Sequence, residues 1–180
     1  MEIKAFKKDY PTTTVQFPTI QAQEKLVILS GPNGCGKSTW LRGLAGLIQT
    51  KPNVRLTQCA YLDHHTHVPQ GLTLERFITR LSDVMSLKAE AVNPHLKAFE
   101  LLEHLPKKTH DLSKGMRQKA LLSVLLASSK TLLLDEPEDG LDRVAMHHFL
   151  TVLTTRPYPT IIATHQPKPY QALRATWVQL

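Results

Sequence analysis

"KLVILSGPNGCGKSTWLRGLAGLI", residues 25–48, is the stretch that decides the fold. It opens on a short apolar, β-rich run, Leu26 to Leu29, that breaks at Ser30-Gly31 as a buried strand does. Leu41, Leu44 and Ile48 then recur at helical spacing. Between strand and helix, Gly31-Pro32-Asn33-Gly34-Cys35-Gly36-Lys37-Ser38 matches G-x-x-x-x-G-K-S in full. The glycines let backbone N–H groups turn inward around phosphates, and the helix N-terminus adds its positive dipole end. Lys37 is expected to reach the β and γ phosphates of a nucleotide, and the Ser38 hydroxyl to bind Mg²⁺.

Such a loop still needs an acid to use the phosphate. In "KTLLLDEPEDGLD" (130–142), Leu132 to Leu134 read as a buried strand that ends in two carboxylates. Neighbouring side chains at a strand end point opposite ways. Asp135 is therefore expected to hold Mg²⁺, and Glu136 to face the γ-phosphate and its attacking water. Phosphoryl transfer rests on positioning and charge neutralisation. Further on, "TIIATHQ" (160–166) reads as another buried strand, and its His165 falls at a carboxyl end, where a nucleotide site lies in parallel sheets.

Size and composition agree with one soluble domain. The 180 residues fit a single domain. The longest apolar runs, such as "ALLSVLLA" (120–127), are too short to span a bilayer, and "MEIKAFKKDYP" lacks an apolar signal core. Cys35 and Cys59 do not suggest a disulfide framework. The net charge of +7 suits an anionic partner, although the cations are dispersed rather than blocked.

Taken in order, these residues resemble the ATP-binding cassette (ABC) ATPases over nearly the whole chain. "GPNGCGKST", Gly31 to Thr39, is similar to the family's Walker A loop, "TLLLDEP" to its Walker B strand, and "DGLD" (139–142) to its D-loop, which implies a place for Asp142 near nucleotide. "LSKGMRQKALLSVLLA" (112–127) resembles the signature and its helix, with Lys114 for a glycine and Met116 for a glutamine. The resemblance implies an α/β fold of the P-loop NTPase type, a mostly parallel β core with flanking helices. It also implies one ABC ATPase domain over 1–180, with a helical subdomain inserted at 73–118. Leu74, Phe77, Ile78, Leu81 and Met85 follow helical spacing there, and Asn93-Pro94 reads as an N-cap and first-turn proline before Leu96, Phe99 and Leu102.

The resemblance further implies ATP and Mg²⁺ as cofactors, and His165 as the switch histidine. Tyr10 is the expected adenine-stacking aromatic, with Phe6 as second choice. In the family the signature caps the γ-phosphate of a second, antiparallel protomer. Ser113, Lys114, Gly115 and Met116 are thus expected at a partner's nucleotide. The implied partners are a second ABC subunit, identical or not, and an integral membrane subunit, with no direct nucleic acid contact. The expected location is the cytoplasmic face of the inner membrane.

Two departures are specific to this chain. Between "GLAGLIQ" and "CAYL" the family has a glycine-containing hairpin, whereas here only "TKPNVRLTQ" remains. The family's loop glutamine, which contacts Mg²⁺ and the attacking water, falls on His64 when counted back from "LTLERF", with Gln70 as the alternative, so the resemblance implies a catalytic and metal-contacting role for His64. Small cassettes of the haem-exporter type carry Tyr-Leu-Gly-His there, and "YLDH" (61–64) is similar. Two other readings stay open: a soluble ABC ATPase acting on nucleic acid or ribosomes, and a metal-regulated ATPase built on Asp63, His64, His65 and His67.

Overall fold

A computed structural model describes residues 1–63, 66 and 68–180. The chain divides into two compact units. One comprises residues 1–64, 130–137 and 157–180, the other 65–129 and 138–156. The expected 73–118 insert lies inside the second unit, whose bounds are wider.

The first unit begins with two antiparallel pairs: β1 (Glu2–Ile3) with β4 (Ile20–Gln21), and β2 (Phe6–Asp9) with β3 (Thr14–Phe17). Its centre is a five-stranded sheet of β5 (Leu26–Ser30), β6 (Cys59–Leu62), β7 (Thr131–Asp135), β8 (Thr160–Thr164) and β9 (Thr176–Gln179). The strand order is β6-β7-β8-β5-β9 and every pairing is parallel. Val27 to Leu29, Leu132 to Leu134 and Ile161 to Ala163 are fully buried. A parallel sheet covered on both faces accounts for such continuous apolar runs. All strands present their carboxyl ends to one edge, so the loops after β5, β7 and β8 gather there.

Helix α1 (Lys37–Leu44) follows the loop after β5 and buries Trp40, Leu41 and Leu44. The sequence reading carried this helix on to Ile48, but it stops at Leu44. Gly46 at φ +71° reverses the chain, and the N–H groups of Ala45, Gly46 and Leu47 cap the last carbonyls.

The second unit is helical. Thr73 caps α2 (Leu74–Val84) by accepting from the Arg76 N–H, and Leu74, Phe77 and Ile78 form its buried face. Helix α3 spans Ala89–Ala98 with Pro94 inside it, which corrects the reading of Asn93-Pro94 as a helix start. The helix begins five residues earlier because Val92, Leu96 and Phe99, all about 98 % buried or more, need one continuous face. That burial outweighs the hydrogen bond that a proline in the helix interior removes. Helices α4 (Lys114–Ala127) and α5 (Arg143–Thr155) complete the unit. Among the described residues no helix is long and apolar enough to cross a membrane.

Candidate functional site

The loop after β5 has the backbone that a phosphate cradle requires. Gly34 and Gly36 adopt φ +83° and +106°, which L side chains rarely tolerate. At Gly31 the constraint is close approach: a Cβ would stand 2.6 Å from the Leu180 carbonyl oxygen and 2.7 Å from Cys35 Sγ. Helix α1 begins at Lys37 with no side-chain cap and no acid in its first turn. Its N-terminal N–H groups and dipole are therefore available to an anion.

Lys37 is 5 % exposed, and its Nζ donates to the carbonyls of Gly31 and Pro32 at 2.8 and 3.0 Å. Cys35 Sγ lies 4.0 Å from the same ammonium. A cavity of about 360 Å³ is lined by Asn33, Gly34, Gly36, Lys37, Ser38 and Thr39, together with Glu136.

Asp135 ends β7 and is 1 % exposed. Glu136 follows in the left-handed region at φ +50°, with its N–H donating to Ala163 at 2.8 Å. Strand alternation alone does not separate the two acids, as the sequence suggested. A turn in backbone hand does so, at a conformation that costs a non-glycine residue about 1–3 kcal/mol. Glu136 Oε1 accepts from His165 Nδ1 at 2.8 Å, and Gln166 Nε2 lies 3.2 Å from His165 Nε2. These contacts suit an imidazole that donates from Nδ1 to Glu136 and accepts at Nε2 from the Gln166 amide. Gln166 was not legible as a site residue in the sequence.

For Mg²⁺, the Ser38 hydroxyl and the Asp135 carboxylate form an all-oxygen donor set, as a hard cation prefers. One of them is buried at a strand end.

Tyr10 follows β2 directly, is 41 % exposed, and has its hydroxyl 3.3 Å from Thr39 Oγ1. Lys8 Nζ stands over its ring, 5.6 Å from the centroid. The second choice, Phe6, is 3 % exposed, with its ring 4.8 Å from Phe17 and 6.5 Å from Trp40. Phe6 belongs to the core.

His64, His65 and His67 lie outside the described residues. Asp63 next to them accepts from Arg42 Nη2 at 3.2 Å and from the Tyr61 hydroxyl at 3.3 Å. Burial pushes the Tyr61 phenol well up, so it stays a neutral donor. Among the described residues no group of three His, Cys, Asp or Glu side chains is placed to hold a metal. Gln70 sits in an exposed turn.

In the helical unit, Ser113 is the N-cap of α4, and its hydroxyl accepts from the Met116 N–H at 3.1 Å. Gly115 packs backbone to backbone on Gly140, whose φ is +79°, and a Cβ there would overlap the Gly140 carbonyl. Lys114 Nζ lies 3.4 Å from Asp139. Asp142, expected from the resemblance near nucleotide, caps α5 by accepting from the Ala145 N–H at 2.9 Å and pairs with Lys119. The backbone bond to Ala145, followed by the Lys119 bond, holds its carboxyl below the usual carboxylate range. The signature and the D-loop segment thus form one closely fitted backbone contact.

A glycine-turned loop opening α1 at the carboxyl edge of a parallel sheet, with a buried aspartate on β7, defines a P-loop nucleotide-binding fold. Residues 18–139 match the ABC transporter family, and the chain belongs to it. The cytochrome c biogenesis ATP-binding export protein CcmA of Gluconobacter oxydans is 32 % identical over 157 residues, which cover 83 % of this chain and 72 % of that protein. The petrobactin import ATP-binding protein FpuD of Bacillus anthracis is 34 % identical over 155 residues, covering 72 % and 55 % respectively. A solved ATP-binding subunit of an ABC transporter superposes with a TM-score of 0.87 over 99 % of this chain and 85 % of its own, at 24 % identity. This is the ATP-binding subunit type of the family, an α/β P-loop fold with a parallel sheet.

Proposed function

We propose that this chain hydrolyses ATP, closes on a second ABC subunit when ATP is bound, and so drives a separate integral membrane subunit of an exporter. The observation that carries the hydrolytic part is the 2.8 Å contact between His165 Nδ1 and Glu136 Oε1 beside the phosphate loop. It holds a carboxylate where an attacking water needs a partner. Glu136 polarises that water, and His165 orients Glu136 and senses the γ-phosphate. The loop N–H groups and Lys37 bind the phosphates, Tyr10 stacks on adenine, and Thr39 fixes the tyrosine hydroxyl. Ser38 and Asp135 would hold Mg²⁺, which when bound supplies charge neutralisation for the transferring phosphoryl group. His64 stands in for the family's glutamine.

Ser113 and Gly115 face the nucleotide of the second subunit, beside Lys114 and Met116. The N-terminus of α4, where the Ser113 hydroxyl takes the Met116 N–H, offers its other first-turn N–H groups to that anion. Asp142 keeps the D-loop segment in register. The export direction, with a haem-type cargo, is supported by the "YLDH" stretch and by the export name of the Gluconobacter relative. The chain then works at the cytoplasmic face of the inner membrane.

The test is reconstitution. The chain is co-expressed with a candidate multi-span membrane subunit, and ATPase activity and cargo movement are measured in vesicles. Activity that the membrane subunit stimulates, and that Glu136→Gln abolishes, is expected. ATP turnover stimulated instead by ribosomes or nucleic acid would sink the transporter reading.

A further inference from the structure

The shortened segment between α1 and β6 leaves a second cleft in the first unit. Its volume is about 440 Å³, within the range of small-molecule sites. One wall is β2, through Lys7, Lys8 and Asp9, and the other is the chain from Gly46 to Arg55. Two backbone hydrogen bonds, Lys7 N–H to Lys51 at 2.9 Å and Lys51 N–H to Lys7 at 3.0 Å, tie the walls together. The cleft is therefore formed by the folded backbone rather than by loose side chains. It lies past the C-terminal end of α1, whereas the phosphate loop is at the other end. The eight residues of that helix separate the two by roughly 12 Å along its axis.

The lining is strongly basic: Lys7, Lys8, Lys51 and Arg55 face one carboxylate, Asp9. Asp9 accepts from Lys51 Nζ at 3.1 Å and from the Thr14 hydroxyl at 2.9 Å, with Lys7 Nζ at 4.0 Å. Its one negative charge is shared by two lysines. Lys8 lies over the Tyr10 ring at 5.6 Å and Arg55 is in no ion pair among the described residues. Arg55 is nevertheless positioned, because its Cβ and Cδ pack where a side chain on Gly46 would stand. The α1 carbonyls of Leu41, Arg42 and Gly43, which would repel an anion, accept from the N–H groups of Ala45, Leu47 and Gly46. Gln49, Thr50 and Asn53 add neutral polar groups to the wall.

We infer that this cleft is a second anion site, distinct from the nucleotide site, that takes a phosphate-bearing ligand. Arg55 and Lys51 are its principal ligands. An arginine fork binds two phosphate oxygens at once, and a lysine supplies a point charge beside it. Phosphate competes with Asp9 for Lys51, so binding shifts that ammonium from carboxylate to ligand. The source of the phosphate is either a soluble phosphorylated molecule or the headgroup of an anionic lipid.

The full chain is first saturated with Mg-ADP so that the phosphate loop is filled. Inorganic pyrophosphate is then titrated in calorimetry with Mg²⁺ in excess, and vesicles of mixed phosphatidylcholine and phosphatidylglycerol are tested by flotation. The variants are Arg55→Gln alone and Lys51→Ser with Arg55→Ser; both positions are exposed, and neither belongs to the nucleotide site. Pyrophosphate binding that weakens about tenfold or more in the double variant, with ADP affinity unchanged, supports the site and a soluble ligand. Vesicle binding lost in the double variant, without pyrophosphate binding, supports the site and a lipid source. Binding of neither probe, or equal binding by wild type and both variants, overturns the inference.

Discussion

His165 Nδ1 donates to Glu136 Oε1 across 2.8 Å, and Glu136 reaches that position through a left-handed backbone at φ +50°. One residue earlier, Asp135 is sealed into the end of β7 at 1 % exposure. Two adjacent carboxylates thus occupy different environments, one buried at a strand end and one partly exposed beside an imidazole. That division is what a metal-holding acid and a water-facing acid require.

Glu136→Gln is expected to keep ATP affinity and lower turnover by roughly 10²–10⁴-fold, because an amide does not polarise water as a carboxylate does. His165→Ala removes the orienting donor and is expected to lower kcat more than it raises KM. Steady-state kinetics with a nucleotide-binding titration on the same preparations separates the two effects. Near-normal turnover in Glu136→Gln would mean that another group serves as base.

Cys35 reports occupancy of the loop. Its thiol lies 4.0 Å from the Lys37 ammonium in the segment that turns around phosphate. A maleimide is expected to label Cys35 and inactivate the protein, and bound Mg-ATP to slow the labelling. Cys59 is a built-in control. It is half-buried on β6, its Sγ lies 3.5 Å from the Leu56 carbonyl, and burial pushes its thiol up, so it reacts slowly with or without nucleotide. Mass spectrometry of each labelled peptide gives the answer; equal labelling of Cys35 in both conditions excludes it from the site.

The loop was legible in the sequence because the left-handed backbone at Gly34 and Gly36 strongly favours glycine. The sheet was legible because strands buried on both faces are written as unbroken apolar runs. The misread elements share a different physics. Pro94 sits inside α3 because burial of Val92, Leu96 and Phe99 overrides a local preference. Phe6 and Tyr10 are four residues apart in one N-terminal stretch, and only tertiary packing makes one core and the other exposed. The Gly115–Gly140 contact joins residues far apart in sequence, so no local pattern announces it.

That contact also decides how the signature is tested. A substitution at Gly115 forces a side chain into the Gly140 carbonyl, so lost function there reads only as lost packing. Ser113→Asp is cleaner. Aspartate retains the cap on α4, whereas Ser113→Ala loses about 1 kcal/mol of helix stability. If Ser113 faces a partner's γ-phosphate, Ser113→Asp keeps thermal stability and monomer ATP binding but blocks ATP-dependent dimerisation by like-charge contact. Light scattering of ATP-loaded protein, in a Glu136→Gln background, reads this directly. Undiminished dimerisation would place the signature away from the partner's nucleotide.

The helical unit carries its own pH dependence. His95 on α3 and His148 on α5 share one hydrogen bond, Nδ1 to Nε2 at 3.0 Å, with Phe99 edge-on to His148 at 5.0 Å. Such a bond needs one donor and one acceptor, so the two rings are not both protonated. Burial, and then the neighbouring His148, lower His95 to about 4, and burial lowers His148 as well. The unfolded chain binds these protons near the ordinary histidine value of about 6.5, before the folded chain does. Below that pH the unfolded state holds more protons, and stability therefore falls as pH drops from about 6.5 toward about 4. His95→Gln has no ring to protonate. Its melting temperature at neutral pH is expected to be somewhat lower than that of the wild type, through lost packing, but to decline less steeply on acidification. Thermal melts across that window, compared as slopes rather than absolute values, isolate the histidine contribution from that of the carboxylates common to both proteins. Parallel slopes for wild type and His95→Gln would remove the pair as an acid-sensitive joint between α3 and α5.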